Sequence, residues 1–126
     1  MDISDLYDYC LAKKGVSEHV PFDEDTLVFK VGGKMFVLAS LSKWEKGQKN
    51  INVKCEPELA IEQRALYNAV QPGYHMSKIH WNTIDTQSDM TYKEILKSID
   101  HSYELVFKSL TKKIQNEIIQ LTNDLI

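Results

Sequence analysis

The dipeptide Gly32-Gly33 constrains the fold more than any other feature of the sequence, because it separates two runs that are typical of β-strands. Residues 26–31 and 34–40 are rich in β-branched and aromatic side chains and contain no proline. Two glycines between such runs favour a tight hairpin, since the preferred two-residue turns need positive φ at both positions. The sequence therefore predicts an antiparallel sheet with this hairpin in it.

The rest of the chain supplies further strands and the helices that cover them. Thr91 and Glu94 form a capping-box pattern, and the apolar residues that follow recur every three or four positions, as on one face of a helix. The predicted elements are a helix at 3–14, strands at 26–31, 34–40 and 50–54, a helix at 57–67, strands at 71–76 and 80–85, and a helix from 92 to about 110, with loops at 17–25 and 41–49. This order predicts an α+β fold, α-β(3)-α-β(2)-α, with an antiparallel sheet and helices on one face.

Charge is unevenly distributed along the chain, although the formal net charge is only −3. The first 25 residues hold seven acidic side chains and two lysines, whereas residues 26–54 hold six lysines and one glutamate. Lysines on the solvent face of the hairpin, extended by those of the loop, would form a small basic surface for nucleic acid, and an aromatic side chain among them would stack on a base. The residues of this predicted surface are Lys30, Lys34, Lys54, Lys43, Lys46 and Trp44. The alternative is an ordinary solvated sheet face, on which lysines prevent aggregation.

Residues 72–83, PGYHMSKIHWNT, combine a Pro-Gly turn with an unusual density of amphipathic side chains. We call this run the signature segment. On alternating strand positions, Trp81 and Thr83 share one face, while His80, Asn82 and Ile84 share the other. The candidate surface residues of the segment are Tyr74, His75, Lys78, His80, Trp81 and Asn82. The alternative for Trp81 and Tyr74 is a role in the core or in locking the turn.

The signature segment resembles the MmcQ/YjbR-like family of small bacterial proteins. Three other segments match that family in the same order, namely residues 20–36 (with Val20-Pro21-Phe22), residues 52–58 and residues 99–103. The family usually has a glycine where this chain has Asp23. The resemblance implies the same α+β arrangement, with a family domain over residues 1–113 and a helical extension of that domain over 114–126. It also implies DNA binding, because the family is commonly described in that way.

The sequence provides no catalytic constellation. His75 and His80 have Asp85 as a potential third metal ligand, but no established ligand spacing is present, so we predict no metal and no cofactor. Cys55 precedes a predicted helix N-terminus, where a thiol pKa is lowered, and a histidine of the signature segment would complete a nucleophilic pair. Cys10 falls on the apolar face of the first helix, which favours a packed thiol over a disulfide.

Three functions remain open. The first is a non-enzymatic DNA-binding protein that uses the lysine-bearing hairpin and the signature segment. The second is a protein-interaction or chaperone-like module that binds a partner on its sheet or through its C-terminal helix, as a monomer or a homodimer. The third, an enzyme using His75, His80 or Cys55, ranks last. The chain shows no membrane-spanning run and no signal-peptide pattern, so we expect a cytoplasmic protein.

Overall fold

The computed structural model describes residues 1–20 and 24–124, and its strands form a single six-stranded antiparallel sheet. The elements in chain order are α1 (Ile3–Leu11), β1 (Val16–His19), β2 (Thr26–Val31), β3 (Lys34–Ser40), α2 (Leu41–Glu45), β4 (Asn50–Lys54), α3 (Pro57–Leu66), β5 (Val70–Pro72), β6 (Trp81–Asp85), α4 (Tyr92–Ser109) and α5 (Lys112–Asp124). The strand order across the sheet is β1-β2-β3-β4-β6-β5. The predicted α+β class with an antiparallel sheet is confirmed.

The two faces of the sheet differ because successive strand residues point to opposite sides. One side packs against α1 and α4 and forms the main core. Its largest fully buried strand residues are Phe29, Phe36, Leu27, Ile51, Ile84, Val31, Val37 and Val53. The opposite side, which we call the open face, carries a smaller cluster of Val28, Leu38 and Trp81, with Met35 and Met76 packed against it.

Three predicted boundaries were wrong, each for a physical reason. The loop predicted at 17–25 overlaps β1, an edge strand whose side chains are mostly exposed and which therefore lacks an alternating apolar pattern. The loop predicted at 41–49 contains α2, a helix too short to show a periodicity. The strand predicted at 71–76 ends at Pro72, because residues 73–80 turn back over the open face. Residues 21–23, which include the departure at Asp23, lie outside the described residues.

The C-terminal helix α5 packs on the same chain. Ile118 is 5% exposed, and an added Cβ on Gly15 would lie 3.0 Å from its side chain. Ile114 packs against the main core and approaches the hairpin turn at Gly32. These contacts use two apolar residues of α5, Ile114 and Ile118, that would otherwise be available for pairing with a second copy. Within the described part of the chain, no helix has the length and apolar character to cross a membrane.

Substitution of Gly32 by alanine is expected to destabilise the fold by about 2–3 kcal/mol, from backbone strain at positive φ and from overpacking. Gly32 has φ +57°, and an added Cβ would lie 2.6 Å from Leu110 Cδ1. Gly33 is the matched control, because it has φ +83° but no neighbouring atom within 4 Å of an added Cβ. Urea unfolding of both variants checks the prediction. Equal losses of stability would show that the contact with Leu110 contributes nothing.

Candidate ligand cleft on the open face

The signature segment and the end of β3 enclose a cleft of about 740 Å³ on the open face. This volume is in the range of sites that hold small molecules or single groups of a larger ligand. The cleft combines apolar side chains, amide and hydroxyl groups, one lysine and the Asp25 carboxylate. The lining residues used below are Met35, Leu38 and Met76 (apolar), Asn50, Asn52, Gln71 and Thr83 (polar), and Lys43, Tyr74 and His75 at the rim.

Lys43 reaches the cleft because α2 begins at the end of β3. Ser40 is the N-cap residue of α2, and its hydroxyl accepts a hydrogen bond from the Lys43 N–H at 3.4 Å. The Asp25 carboxylate in turn accepts hydrogen bonds from the Ser40 hydroxyl at 2.7 Å and the Ser42 N–H at 2.8 Å. These hydrogen bonds, the one from Ser40 first, lower the pKa of Asp25. Asp25 therefore stays ionised and fixes the start of α2 beside the cleft.

Lys43, Tyr74 and His75 form a stacked group at the rim. The Lys43 ammonium lies 4.5 Å from the Tyr74 ring centroid, a distance at which a cation is attracted to the ring face. The Tyr74 and His75 ring centroids are 4.0 Å apart, with the planes tilted by 52°. Tyr74 is 56% exposed. An aromatic surface beside a cation therefore faces solvent at the mouth of the cleft.

Gly73 allows the signature segment to approach its own strand. An added Cβ at this position would lie 2.7 Å from the Trp81 Cβ and 3.1 Å from the Met76 Cβ, so a larger residue would push the turn away. The Gly73 N–H donates to the Trp81 carbonyl at 2.8 Å, and the Tyr74 N–H donates to the Thr83 hydroxyl at 2.9 Å. The turn is therefore fastened to β6 along the cleft.

Arg64 holds the other end of the same segment. Its Nε donates to the Asn82 side-chain oxygen at 2.8 Å, and its Nη2 donates to the carbonyl oxygens of Lys78 and Trp81. Asn82 is fully buried on the helix side of β6, where its Nδ2 also lies 3.5 Å from Gln63 Oε1. The sequence reasoning missed Arg64. Arg64 is the only arginine of the sequence, and the arginine side chain is the one that offers a planar fork of donors. This was the one signal that could have pointed to it.

The predicted basic surface is divided between the two ends of the sheet. Lys30 and Lys54 alternate onto the open face at the hairpin end, and Lys34 is exposed beside them. Lys43 and Lys46 lie at the opposite end of β3, which at the rise of an antiparallel strand is roughly 20 Å away. Charges so far apart are screened from one another in solution, where the Debye length is about 8 Å. The structure thus forms two basic regions, and only the one with Lys43 borders the cleft.

Three of the predicted surface residues are buried instead. Trp44 is 6% exposed and donates its indole N–H to the Asn50 carbonyl at 2.8 Å, so the prediction that it stacks on a base is wrong. Trp81 is 9% exposed and packs with Val28 and Leu38, and Asn82 is fully buried. The sequence pattern placed Asn82 on the correct strand face, but that face is covered by α3. His80 and Lys78 are exposed, and the Lys78 ammonium bonds the Gly73 carbonyl at 3.3 Å.

The thiols are poorly suited to nucleophilic chemistry. Cys10 and Cys55 are both free and buried, which confirms the packed-thiol interpretation of Cys10. Burial raises the pKa of Cys10 to about 12 and that of Cys55 to about 11, so the expected lowering at Cys55 is wrong. Among the described residues, no group of three histidine, cysteine, aspartate or glutamate side chains is arranged to hold a metal ion.

The sequence is similar to a known protein family and to several of its relatives. Residues 11–105 match the family model YjbR. The chain is 33% identical over 98 residues to the uncharacterized protein YbdF of Escherichia coli O157:H7, with 78% of each chain covered. It is 29% identical over 121 residues to the uncharacterized protein YjbR of Escherichia coli K12, covering 96% of this chain and all of that one.

Solved structures agree with the sequence matches. A crystal structure of a Deinococcus radiodurans protein, described as domain DUF419, superposes with a TM-score of 0.84 at 30% identity, covering 93% of this chain and 87% of that chain. A crystal structure of a protein from Pseudomonas syringae superposes with a TM-score of 0.71 at 26% identity, covering 84% and 99%. The chain therefore belongs to the YjbR family.

Proposed function

We propose that this protein is a non-enzymatic binding protein that holds single-stranded DNA on the open face of its sheet. The observation that carries the proposal is the rim of the cleft, where a lysine, a tyrosine and a histidine stack above amide and hydroxyl side chains. In this arrangement one base enters the cleft, the exposed Tyr74 ring offers it a stacking partner, and Lys43 contacts a neighbouring phosphate.

The cleft suits a base better than a fully apolar or a fully charged ligand. Met35, Leu38 and Met76 provide an apolar surface for the flat ring, and Asn50, Asn52 and Gln71 provide groups that bond the ring edge. A base in a duplex exposes its Watson–Crick edge to its partner strand, so only a single strand can present that edge to the cleft. We therefore expect a single strand to bind more tightly than a duplex.

The lysines at the hairpin end supply a second contact for the same strand. Lys30 and Lys54 lie on the open face, roughly 20 Å from Lys43 along β3, so one extended strand can contact both basic regions. A strand that follows the open face would pass from one basic region to the other. Asp25 of the acidic N-terminal region lines the cleft, whereas Glu18 on β1 pairs with Phe29 and points to the other side of the sheet.

The buried cysteines support a binding role over a catalytic one. Their pKa values of about 12 and 11 leave both thiols protonated near neutral pH, and protonated thiols are weak nucleophiles. His75 is at the rim of the cleft, and its backbone lies in the left-handed region with φ 57°. We assign His75 to contact with the ligand, together with Tyr74.

Lys43→Ala is expected to weaken binding of a fluorescent 12-nucleotide single strand several-fold at low salt. It should also reduce the slope of log affinity against log salt by about 0.7, the value for one phosphate contact on a single strand. Fluorescence anisotropy over a salt series measures both quantities. Lys97→Ala is the matched control, because Lys97 is exposed on α4, away from the open face. If the two variants lost equal affinity and slope, the site would not be the cleft.

A protein partner is the second candidate, and exposed apolar residues favour it. Ile61 on α3 and Ile79 in the signature segment are each 65% exposed, and Arg64 joins the two elements that carry them. Exposed apolar groups that lie near one another are typical of interaction sites. The same anisotropy experiment separates the candidates, since a protein-interaction module would bind neither single-stranded nor duplex DNA even at low salt.

A further inference from the structure

Thr83 and Asn52 face each other at the centre of the cleft. They are register partners on β6 and β4, and Gln71 and Leu38 continue the same row across the sheet on either side. The Thr83 hydroxyl hydrogen-bonds the Asn52 side-chain oxygen Oδ1. Both residues line the cleft and are only half-buried, so their remaining polar groups are accessible to a ligand.

The backbone fixes the direction of this hydrogen bond. The Tyr74 N–H can only donate, and it donates to the Thr83 oxygen at 2.9 Å. The single hydroxyl hydrogen of Thr83 then has the Asn52 oxygen as its acceptor, so Asn52 is oriented with Oδ1 toward Thr83. The opposite orientation would leave that hydrogen without an acceptor. The chain of bonds from Tyr74 through Thr83 thus orients the Asn52 amide, engages one of the two lone pairs of Oδ1 and leaves both hydrogens of Nδ2 free.

The free end of the Asn52 amide is a hydrogen-bond donor. Its Nδ2 carries two hydrogens, and across residues 1–20 and 24–124 no group accepts either of them. Lys43 at the rim is also a donor only. A ligand therefore binds most tightly when it presents a hydrogen-bond acceptor to Asn52 Nδ2. A ligand amino group at the same place would set two donors against each other, and no hydrogen bond would form.

We infer that Asn52, oriented by Thr83, selects a base with a keto group at the recognised edge. This inference rests on the proposed binding of single-stranded DNA. Thymine and cytosine are pyrimidines of similar size that share a carbonyl at position 2 but differ at N3, which carries a hydrogen only in thymine, and at position 4, where thymine has a carbonyl oxygen and cytosine an amino group. With position 4 at Asn52, the carbonyl of thymine accepts from Nδ2, and the amino group of cytosine cannot. The protein is therefore expected to prefer thymine to cytosine.

The test compares a 12-nucleotide oligo-dT with an oligo-dC of the same length by fluorescence anisotropy at one salt concentration. The two strands carry the same charge, so their phosphate contacts cancel in the ratio of affinities. We expect oligo-dT to bind about tenfold more tightly, the factor that corresponds to one hydrogen bond gained and one opposed pair of donors avoided. Failure of both strands to bind would overturn the proposed function, whereas equal binding would overturn only the selection by Asn52.

Two variants assign the preference to particular atoms. Asn52→Asp replaces the free donors by an acceptor, so the ratio should fall to one or reverse in favour of oligo-dC, even though the added charge weakens both complexes. Thr83→Val removes the hydroxyl, which frees the Asn52 amide to turn and also leaves the Tyr74 N–H without its acceptor. Both affinities should therefore fall, and the ratio should fall with them, without a change of charge. Thermal unfolding verifies that both variants fold. A tenfold preference that persisted in folded Asn52→Asp would overturn the assignment.

Discussion

Arg64→Ala is expected to loosen the signature segment and weaken ligand binding together. The substitution removes the donors to the carbonyl oxygens of Lys78 and Trp81 and leaves the fully buried Asn82 oxygen without its nearest partner. Loss of a charged donor to a buried acceptor costs roughly 2–3 kcal/mol, so the free energy of unfolding should fall by about that amount. Since residues 74–76 line the cleft, the affinity for single-stranded DNA should fall as well.

Hydrogen exchange distinguishes a local effect from general destabilisation. The amides of Gly73 and Trp81 donate to carbonyl oxygens at the two ends of the turn, the first to Trp81 and the second to Ser77. In Arg64→Ala we expect these amides to exchange faster by a larger factor than the amides of β2 and β3. A uniform acceleration over the whole sheet would contradict a specific role in holding the segment.

Arg64→Lys is the informative control, because it keeps the charge but loses the fork of donors. A lysine at this position reaches at most part of the set of acceptors, so its stability should lie between those of the wild type and Arg64→Ala. A double-mutant cycle with Asn82→Ala measures the coupling directly, and coupling of groups in contact is commonly about 0.5–3 kcal/mol. Full recovery of stability by lysine would mean that only the charge matters.

Local signals in the sequence were sufficient for most of the fold. Gly32-Gly33 marked the hairpin correctly, because both glycines adopt positive φ in the turn. The Thr91 cap and the apolar stripe that follows it marked α4, whose Thr91 side chain accepts a hydrogen bond from the Glu94 N–H. Such signals come from residues that are close together in the chain, and each specifies a single element. β1 was missed because an exposed edge strand needs no alternation of apolar residues and so carries no such signal.

The candidate site was predicted only in part, because its residues meet through the topology of the sheet. The signature segment was recognised by its composition, yet the reasons that Tyr74 is exposed and Asn82 buried lie in α3 and β4. Asn52 and Arg64 had no local signal at all, since their roles depend on partners 31 and 18 residues away. The lysines were predicted as one surface from their proximity in sequence, whereas the length of β3 separates them.

Ser102 is another residue whose role depends on distant partners, and it joins three elements in the core. Its hydroxyl donates to the Phe36 carbonyl at 2.6 Å and accepts from the Lys54 N–H at 2.8 Å. The direct pairing of β3 with β4 covers only Val37 with Val53 and Leu38 with Asn52. Phe36 and Lys54 would be the next pair in this register. A hydroxyl from α4 therefore bridges the two backbone groups where the ladder ends.

Ser102→Ala is expected to destabilise the protein by about 2–4 kcal/mol, because it leaves a backbone donor and a backbone acceptor without their shared partner. Ser102 is fully buried, so water has no ready access to replace the hydroxyl. Ser98→Ala is the matched control on the same helix. Ser98 is also buried, but its hydroxyl bonds only the Glu94 carbonyl of its own helix, and its removal should cost less than about 1 kcal/mol.

Urea unfolding of the two serine variants gives the comparison. We expect the midpoint of Ser102→Ala to fall well below that of Ser98→Ala with an unchanged slope, which indicates a loss of native stability rather than a change in the unfolded state. Because Lys54 and Trp81 are register partners, the loss of stability should also weaken the pairing of β4 with β6 beneath the signature segment. Equal midpoints for the two variants would show that β3 and β4 are held together without the bridge from α4.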